Sequence, residues 1–309
     1  MKKITKGNSV AAGSTIGKLL TSSQRLGMLA VATALLPVSA VLAGEVDLTT
    51  TTSGTIDGSV GGTAVYTTAD TQPAGTGVFK PFLTLQNSPI EQGYNTSGDD
   101  VLDTKRVDQW NHDIKVGDLQ IVQDPKNGVD SFAFELDANE TGQGNINRLL
   151  SIDNIRIYTS AIGAQTESDP DKLGELRFAQ NDPLKNLDGT YNIANWVKID
   201  ASNSDAPPGG GGSTSGSGSS DMLVYIPTSA FHIGEAGGAS LDDYLYFYNL
   251  NGVHYSTEAG TSSDAGFEEW RAWTGPNAVP DGGNTLILLG SGLAALGFLA
   301  KRGRLARVA

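Results

Sequence analysis

The side chains able to do chemistry are few in this chain, and their spacing excludes several classes of enzyme. His112, His232 and His254 are its three histidines, and they stand in separate segments. None shows the paired spacing of an HExxH zinc site, so each reads as a surface or turn histidine. Cysteine is absent, which removes thiol nucleophiles, Cys-liganded zinc, iron–sulfur clusters and disulfides together. Gly216-Ser217-Gly218 sits in a low-complexity run of Ser and Gly rather than in a strand–turn–helix elbow, so it is not a hydrolase nucleophile. Paired carboxylates are the remaining route to catalysis, because a glycosidase needs two of them across one cleft. Glu135 with Asp137, and Glu268 with Glu269, are such pairs, but in a segment this acidic, pairs also arise by chance. The chain therefore reads as a non-enzyme.

Binding chemistry is better represented. Asp137, Asn139 and Glu140 place oxygen ligands close together, and Thr141-Gly142-Gln143-Gly144-Asn145 follows. Hard-cation loops are built in this way, and calcium is the candidate ion, although the spacing is not that of an EF-hand. Asp99, Asp100, Asp103 and Asp108 form a second acidic cluster. Exposed aromatic rings stack on the apolar faces of sugars, and Trp270 and Trp273, close together near the end of the domain, are candidate ligand-binding residues. In Tyr244-Leu245-Tyr246-Phe247-Tyr248 the alternation puts three tyrosines on one face, either as a binding strip or as a packed sheet face.

These residues must be positioned by a β fold. Short runs rich in Val, Ile, Tyr and Phe recur at 78–86, 114–122, 131–136, 152–158, 173–178, 196–199, 222–226 and 244–250, with Gly, Asn, Asp or Pro between them. No apolar 3.6-residue period inside the domain is long enough for a substantial helix. The expected fold is all-β: a single antiparallel, jelly-roll-like β-sandwich over residues 77–278. Residues 44–76, rich in Thr, Gly and Ser, read as a flexible lead-in with one edge strand at Thr63–Thr68. The Pro-Pro-Gly-Gly-Gly-Gly and Ser/Gly run within 202–220 reads as a long hairpin loop between strand-like flanks.

The two ends read as addresses. Lys2, Lys3, Lys6, Lys18 and Arg25 precede the apolar run Leu26 to Leu36, then Pro37 and Val41-Leu42-Ala43. This order predicts a signal peptide over 1–43, with its helix in the apolar run and signal peptidase cutting between Ala43 and Gly44. At the other end Val279, Pro280, Asp281, Gly282 and Gly283 precede an uncharged apolar stretch from Thr285 to Ala300. Lys301, Arg302, Arg304 and Arg307 close the chain. Sixteen residues at about 1.5 Å each give roughly 24 Å of helix, a little short of the ~30 Å hydrocarbon core. The predicted transmembrane helix therefore relies on Asn284 and a snorkelling Lys301, and its basic cluster holds the β domain outside the cytoplasm.

Charge follows the same division. Nine of the 21 basic residues and one of the 34 acidic ones lie in the two ends, leaving the middle with 12 against 33, a net of −21. Such a surface repels phosphate backbones, so nucleic acid is excluded as a partner, and divalent cations are its natural counter-ions.

The tail over 279–309, Val-Pro-Asp-Gly-Gly, apolar helix and Arg-rich terminus, resembles the VPDSG variant of the PEP-CTERM sorting signals. Gly282 stands where that variant has Ser. The resemblance implies processing by an exosortase-like membrane protease near Pro280-Asp281, and placement at the cell surface or in the exopolysaccharide matrix of a Gram-negative bacterium. Phe79-Lys80-Pro81-Phe82-Leu83, Glu91-Gln92-Gly93-Tyr94-Asn95-Thr96 and Gly266-Phe267-Glu268-Glu269-Trp270 also resemble uncharacterised domains that precede such tails, which implies no activity. The expectation is an exported protein, transiently anchored in the inner membrane, with a structural or adhesive role in exopolysaccharide and biofilm. The alternatives are a calcium-stabilised carbohydrate-binding module and a carbohydrate-active hydrolase.

Overall fold

A computed structural model of the chain describes residues 44–69, 79–105, 109–139, 149–201, 220–264 and 266–273. The expected signal peptide through Ala43, Glu140, most of the 202–220 segment, residues 279–283 of the expected sorting motif, the apolar stretch and the basic cluster Lys301, Arg302, Arg304 and Arg307 lie outside the described residues.

In chain order the first strands are β1 (Glu45–Asp47), β2 (Ser53–Asp57), β3 (Thr63–Thr68), β4 (Leu83–Leu85), β5 (Glu91–Tyr94), β6 (Ile114–Lys115) and β7 (Ile121–Gln123). There follow β8 (Asp130–Ala138), β9 (Leu149–Ser160), β10 (Glu175–Ala179), β11 (Trp196–Asp200), β12 (Met222–Pro227), β13 (Tyr244–Asn251) and β14 (Glu268–Trp273). They form two sheets. One runs β1-β11-β9-β13-β5 with β10 and β6 added at its side; the other runs β2-β3-β12-β8-β14-β4 with β7 added. Among the described residues the protein is mostly β, and the helical segments there are short 3-10 turns.

One apolar cluster is shared by both sheets. Leu150, Ile152, Ile155, Ile157, Val197, Leu245 and Phe247 come from the first, and Tyr66, Phe132, Phe134, Leu136, Val224, Ile226 and Trp270 from the second. At its centre Phe247 meets Phe134 at 4.9 Å and Trp270 at 4.7 Å between ring centroids, and Phe82 lies edge-on to both Phe134 and Phe247. Alternation along each strand supplies these inward residues, since successive side chains point to opposite faces. The second face of the first sheet is also covered. Tyr94, Tyr158, Tyr246 and Tyr248 form a separate buried cluster with Leu173, Leu184 and Leu250.

Four sequence expectations are corrected. Residues 44–69 are not a solvated lead-in: β1 joins the first sheet, β2 and β3 the second, and Val46, Leu48, Ile56 and Tyr66 are buried in the core. Consequently β3 is an interior strand between β2 and β12, not an edge. The strands are not uniformly antiparallel, because β1 pairs with β11 in parallel. Nor do β11 and β12 form a hairpin; they belong to different sheets, so the connection between them passes from one layer to the other.

The shared core sets an expectation. Phe247→Ala, removing a fully buried ring that touches both layers, should lower unfolding stability by about 3–5 kcal/mol in urea titration, whereas Leu187→Ala at an exposed position should change it by less than about 0.5 kcal/mol.

Candidate functional site

Polar side chains that are wholly buried gather at one end of the two sheets, where β13 finishes and the chain turns back towards β14. The first group hangs on a β-bulge. Along β13 and β9 the register slips between Leu250, opposite Asn154, and Asn251, opposite Ile152, so Asp153 is the extra residue. Bulges redirect a side chain, and here the Asp153 carboxylate is aimed at the 3-10 turn Val253–Ser256 that follows β13. It accepts from Val253 N at 2.5 Å, Ser151 Oγ at 3.0 Å and, when ionised, the His254 Nδ1–H at 2.5 Å. The His254 ring is held from its other side by Trp196, stacked at 4.0 Å with only 15° between the planes. Burial pushes the Asp153 carboxyl above the ordinary carboxylate range, against the opposing pull of His254, Val253 N–H and Ser151.

Serine, histidine and aspartate thus meet, but in the wrong order for nucleophilic catalysis. In a hydrolase the serine hands its proton to the histidine, and the aspartate orients the histidine from behind. Here Ser151 and His254 both bind the same aspartate, and Ser151 is fully buried. The arrangement fastens the β13 turn to β9; it does not activate a hydroxyl.

The second group faces the space between the sheets. Glu91 opens β5 and sits opposite Asn251 in the ladder, and Glu268 opens β14. All three are completely buried. Asn251 Nδ2 donates to Glu91 Oε1 at 2.6 Å. Glu268 lies within hydrogen-bonding reach of Glu91, and burial pushes the Glu91 carboxyl up. Two residues before Asn251 on β13, Asn249 Oδ1 accepts from the Trp270 Nε1–H at 3.0 Å, marking where the apolar core gives way to these polar residues.

On the outer face of the first sheet the tyrosine hydroxyls act as ties. Tyr94 donates to the Glu167 carbonyl and Tyr246 to that of Ile162, while Tyr158 and Arg156 both reach Asp171. The segment between β9 and β10 is thereby drawn over the sheet. Of the two readings of Tyr244, Tyr246 and Tyr248, the packed face is the one observed for Tyr246 and Tyr248, which are fully buried; Tyr244 is half-buried beneath Lys115.

A concave surface lies elsewhere, between the 3-10 turn Val116–Asp118 and the turn after β12. It encloses about 720 Å³ and is lined by Val116, Leu119, Ile121, Phe132, Ile233 and Leu241, with Thr228, Ser229, His232 and Glu235 on its rim. Ile121 and Leu241 are well over half exposed there. The groove is aliphatic, so it offers apolar contact rather than a stacking platform.

No protein-family model, curated protein or solved structure matches this chain.

The candidates named from sequence are scattered. Trp270 cannot stack on a ligand because both faces of its indole are inside the core, against Phe247 and its neighbours. Trp273 is half-buried and packs edge-on to Tyr225 at 6.0 Å. Asp137 is a buried strand residue of β8 rather than part of a loop, and Asn139 follows the end of that strand. Glu268 and Glu269 point to opposite faces of β14 and so cannot flank one bond. Glu135 is engaged by Arg271 and Ser220. Among the described residues no group of three or more His, Asp or Glu side chains gathers for a metal ion. His254, Asp153, Glu91 and Asn251 were not singled out by sequence as a group, since no local motif joins them.

Two outcomes follow from this geometry. Asp153→Ala leaves three donors without their acceptor and should cost about 2–4 kcal/mol of stability, read by denaturant titration. Glu269 is raised above its ordinary 4.5 by burial alone, so its effect has the opposite sign to a salt-bridged acid. Stability is full below the unfolded pKa and falls as pH rises through the higher folded one. Glu269→Gln should therefore melt above wild type at neutral pH and level with it below pH ~4, in paired thermal melts.

Proposed function

We propose that this chain is an exported, non-catalytic surface protein, with a structural or adhesive place among extracellular polysaccharides. The observation that carries the reading is the order of the C-terminal tail, Val279-Pro280-Asp281-Gly282-Gly283, apolar stretch and basic cluster, which resembles a sorting signal. Signal peptidase would act at one end and an exosortase-like membrane protease at the other, with the membrane holding the chain in between. Among the described residues no helix is long and apolar enough to cross a membrane, so the anchor in this reading is the 285–300 stretch.

The fold supports the same reading. Eight strands in the orders β4-β14-β8-β12 and β5-β13-β9-β11, joined largely by connections that pass from sheet to sheet, suit a jelly-roll-like β-sandwich. Cutting after Ala43 leaves Gly44 as the first residue, and its nitrogen already donates to the buried Asn195 Oδ1 at 3.0 Å. The new terminus would keep that bond and strengthen it with charge. Binding rather than turnover fits the interior, where Ser151 and His254 share Asp153. A carbohydrate-binding module remains the second reading, favoured by the exposed ring of Trp110; retention on polysaccharide gels separates it from a purely structural role.

Terminal mass spectrometry of the protein recovered outside the cell tests the address. The expected product begins at Gly44 and ends within 279–283, and replacing Pro280 and Asp281 with Ala should leave the uncut chain in the inner membrane. Recovery of the intact 309-residue chain from the cytosol would reject the reading.

A further inference from the structure

The space between the sheets has two unlike ends. At one, β13 finishes in Asn251 opposite Glu91, among buried polar side chains. At the other, where β13 begins, the gap opens into the aliphatic groove of about 720 Å³ between the turn Val116–Asp118 and the turn after β12. The Gly117 N–H donates to the Leu241 carbonyl at 2.9 Å, which ties two parts of the groove wall together. Yet Ile121, Ile233 and Leu241 are 60%, 38% and 57% exposed. Exposed apolar side chains gathered around a concavity mark a place where something docks.

The path of the chain points to the occupant. β12 takes one edge of β8, and β14 and β7 share the other. Trp273, the last residue of β14, lies opposite Ala133, and Ile121 lies opposite Phe132, the next position along. Ile121 and Phe132 both line the groove. Residues 274–309 therefore set out from the edge of the groove, and they include the uncharged stretch from Thr285 to Ala300. The 12 residues from Thr274 to Thr285 span up to roughly 40 Å when extended, more than enough to bring that stretch back to it. The other apolar run, Leu26 to Leu36, joins the domain through Gly44, whose carbonyl accepts from Trp196 N beside His254, at the polar end.

Charge and spacing agree. Asp118, Glu235 and Asp242 are exposed around the groove, while Lys115 lies over the Tyr244 ring and His232 bonds Glu235. The apolar stretch is followed by Lys301, Arg302, Arg304 and Arg307, four cations against a domain whose net charge is −21. A second copy of the domain would instead bring two strongly acidic surfaces together. Leu286, Leu289, Leu293 and Leu296 recur at the three- and four-residue steps that put one apolar face on a helix, the pattern of helix-in-groove recognition.

We propose that the groove is the seat of the chain's own C-terminal apolar stretch, which lays these four leucines against Ile121, Ile233 and Leu241 whenever no bilayer holds it. Docking takes two apolar surfaces out of water at once. The proposal goes beyond the protein's address and does not rest on it, since a stretch this apolar needs cover in water whether or not it is a sorting signal.

A chain without cysteine makes the test direct. Leu241→Cys, at an exposed wall position, is paired in the full-length chain with Leu286→Cys, Leu289→Cys, Leu293→Cys or Leu296→Cys in turn, and each pair is oxidised at low protein concentration in detergent-free buffer. A disulfide closes only where the Cα atoms come within about 7 Å. At least one pair should close inside the monomer with about tenfold the yield of the same tail cysteine paired with Leu187→Cys, an exposed position outside the groove. Ile233→Asp, which sets a charge on the wall, should lower that yield about fivefold and leave Tm unchanged. Disulfides joining two chains would give the groove to a second copy, and yields no higher than the Leu187→Cys control would leave the stretch undocked; either result overturns the proposal. A fluorophore on Leu241→Cys that enters an apolar environment only when phosphatidylcholine vesicles are added would overturn it equally, by giving the groove to the membrane surface.

Discussion

Everything in this molecule depends on the contact between its two sheets through one layer of buried rings and branched side chains. Cysteine is absent, so no covalent bond between side chains holds the layers. The acidic excess of the domain works against compactness through self-repulsion. Apolar burial must outweigh both, and it is concentrated where Phe82, Phe134, Phe247 and Trp270 interlock across the gap. Strand pairing fixes each sheet internally, but it contributes nothing between them. The rings do.

The same constraint explains where the polar residues go. An interlayer space has ends, and at the β13 end the apolar filling stops at Trp270. Beyond it the backbone must turn, and its polar groups need partners out of water. Asp153 supplies one partner set through a bulge, anchoring Val253 and His254. Asn249, Asn251, Glu91 and Glu268 occupy the inner side. A buried charge there is costly unless a hydrogen bond or an opposite charge meets it. On the outer face, tyrosine hydroxyls meet the same need by binding the carbonyls of the covering segment.

The sequence was informative wherever a strand carried its own packing. β8, β9, β12 and β13 are rich in Phe, Ile, Val and Tyr, and their expected spans fall within the observed ones. β2 (SGTID), β5 (EQGY) and β14 (EEWRAW) look like turns or charged surface, because their place in a sheet is decided by neighbours distant in sequence. The reading of 44–69 failed for the same reason: few large apolar residues suffice when each of Val46, Leu48 and Ile56 is buried. The buried polar corner was not legible at all. Glu91 and Asn251 are 160 residues apart and Asp153 and His254 101 apart, and a bulge joins the latter pair. Trp270 misled in the opposite direction, since a tryptophan beside two glutamates looks exposed until alternation along β14 turns it inward.

If one shared core holds both sheets, they cannot melt separately. Differential scanning calorimetry of the purified protein tests this most directly. A single endotherm is expected, with equal van't Hoff and calorimetric enthalpies. Two resolved transitions, or a calorimetric enthalpy well above the van't Hoff value, would mean that the sheets are stabilised independently and that the interlayer contact is not what holds the fold.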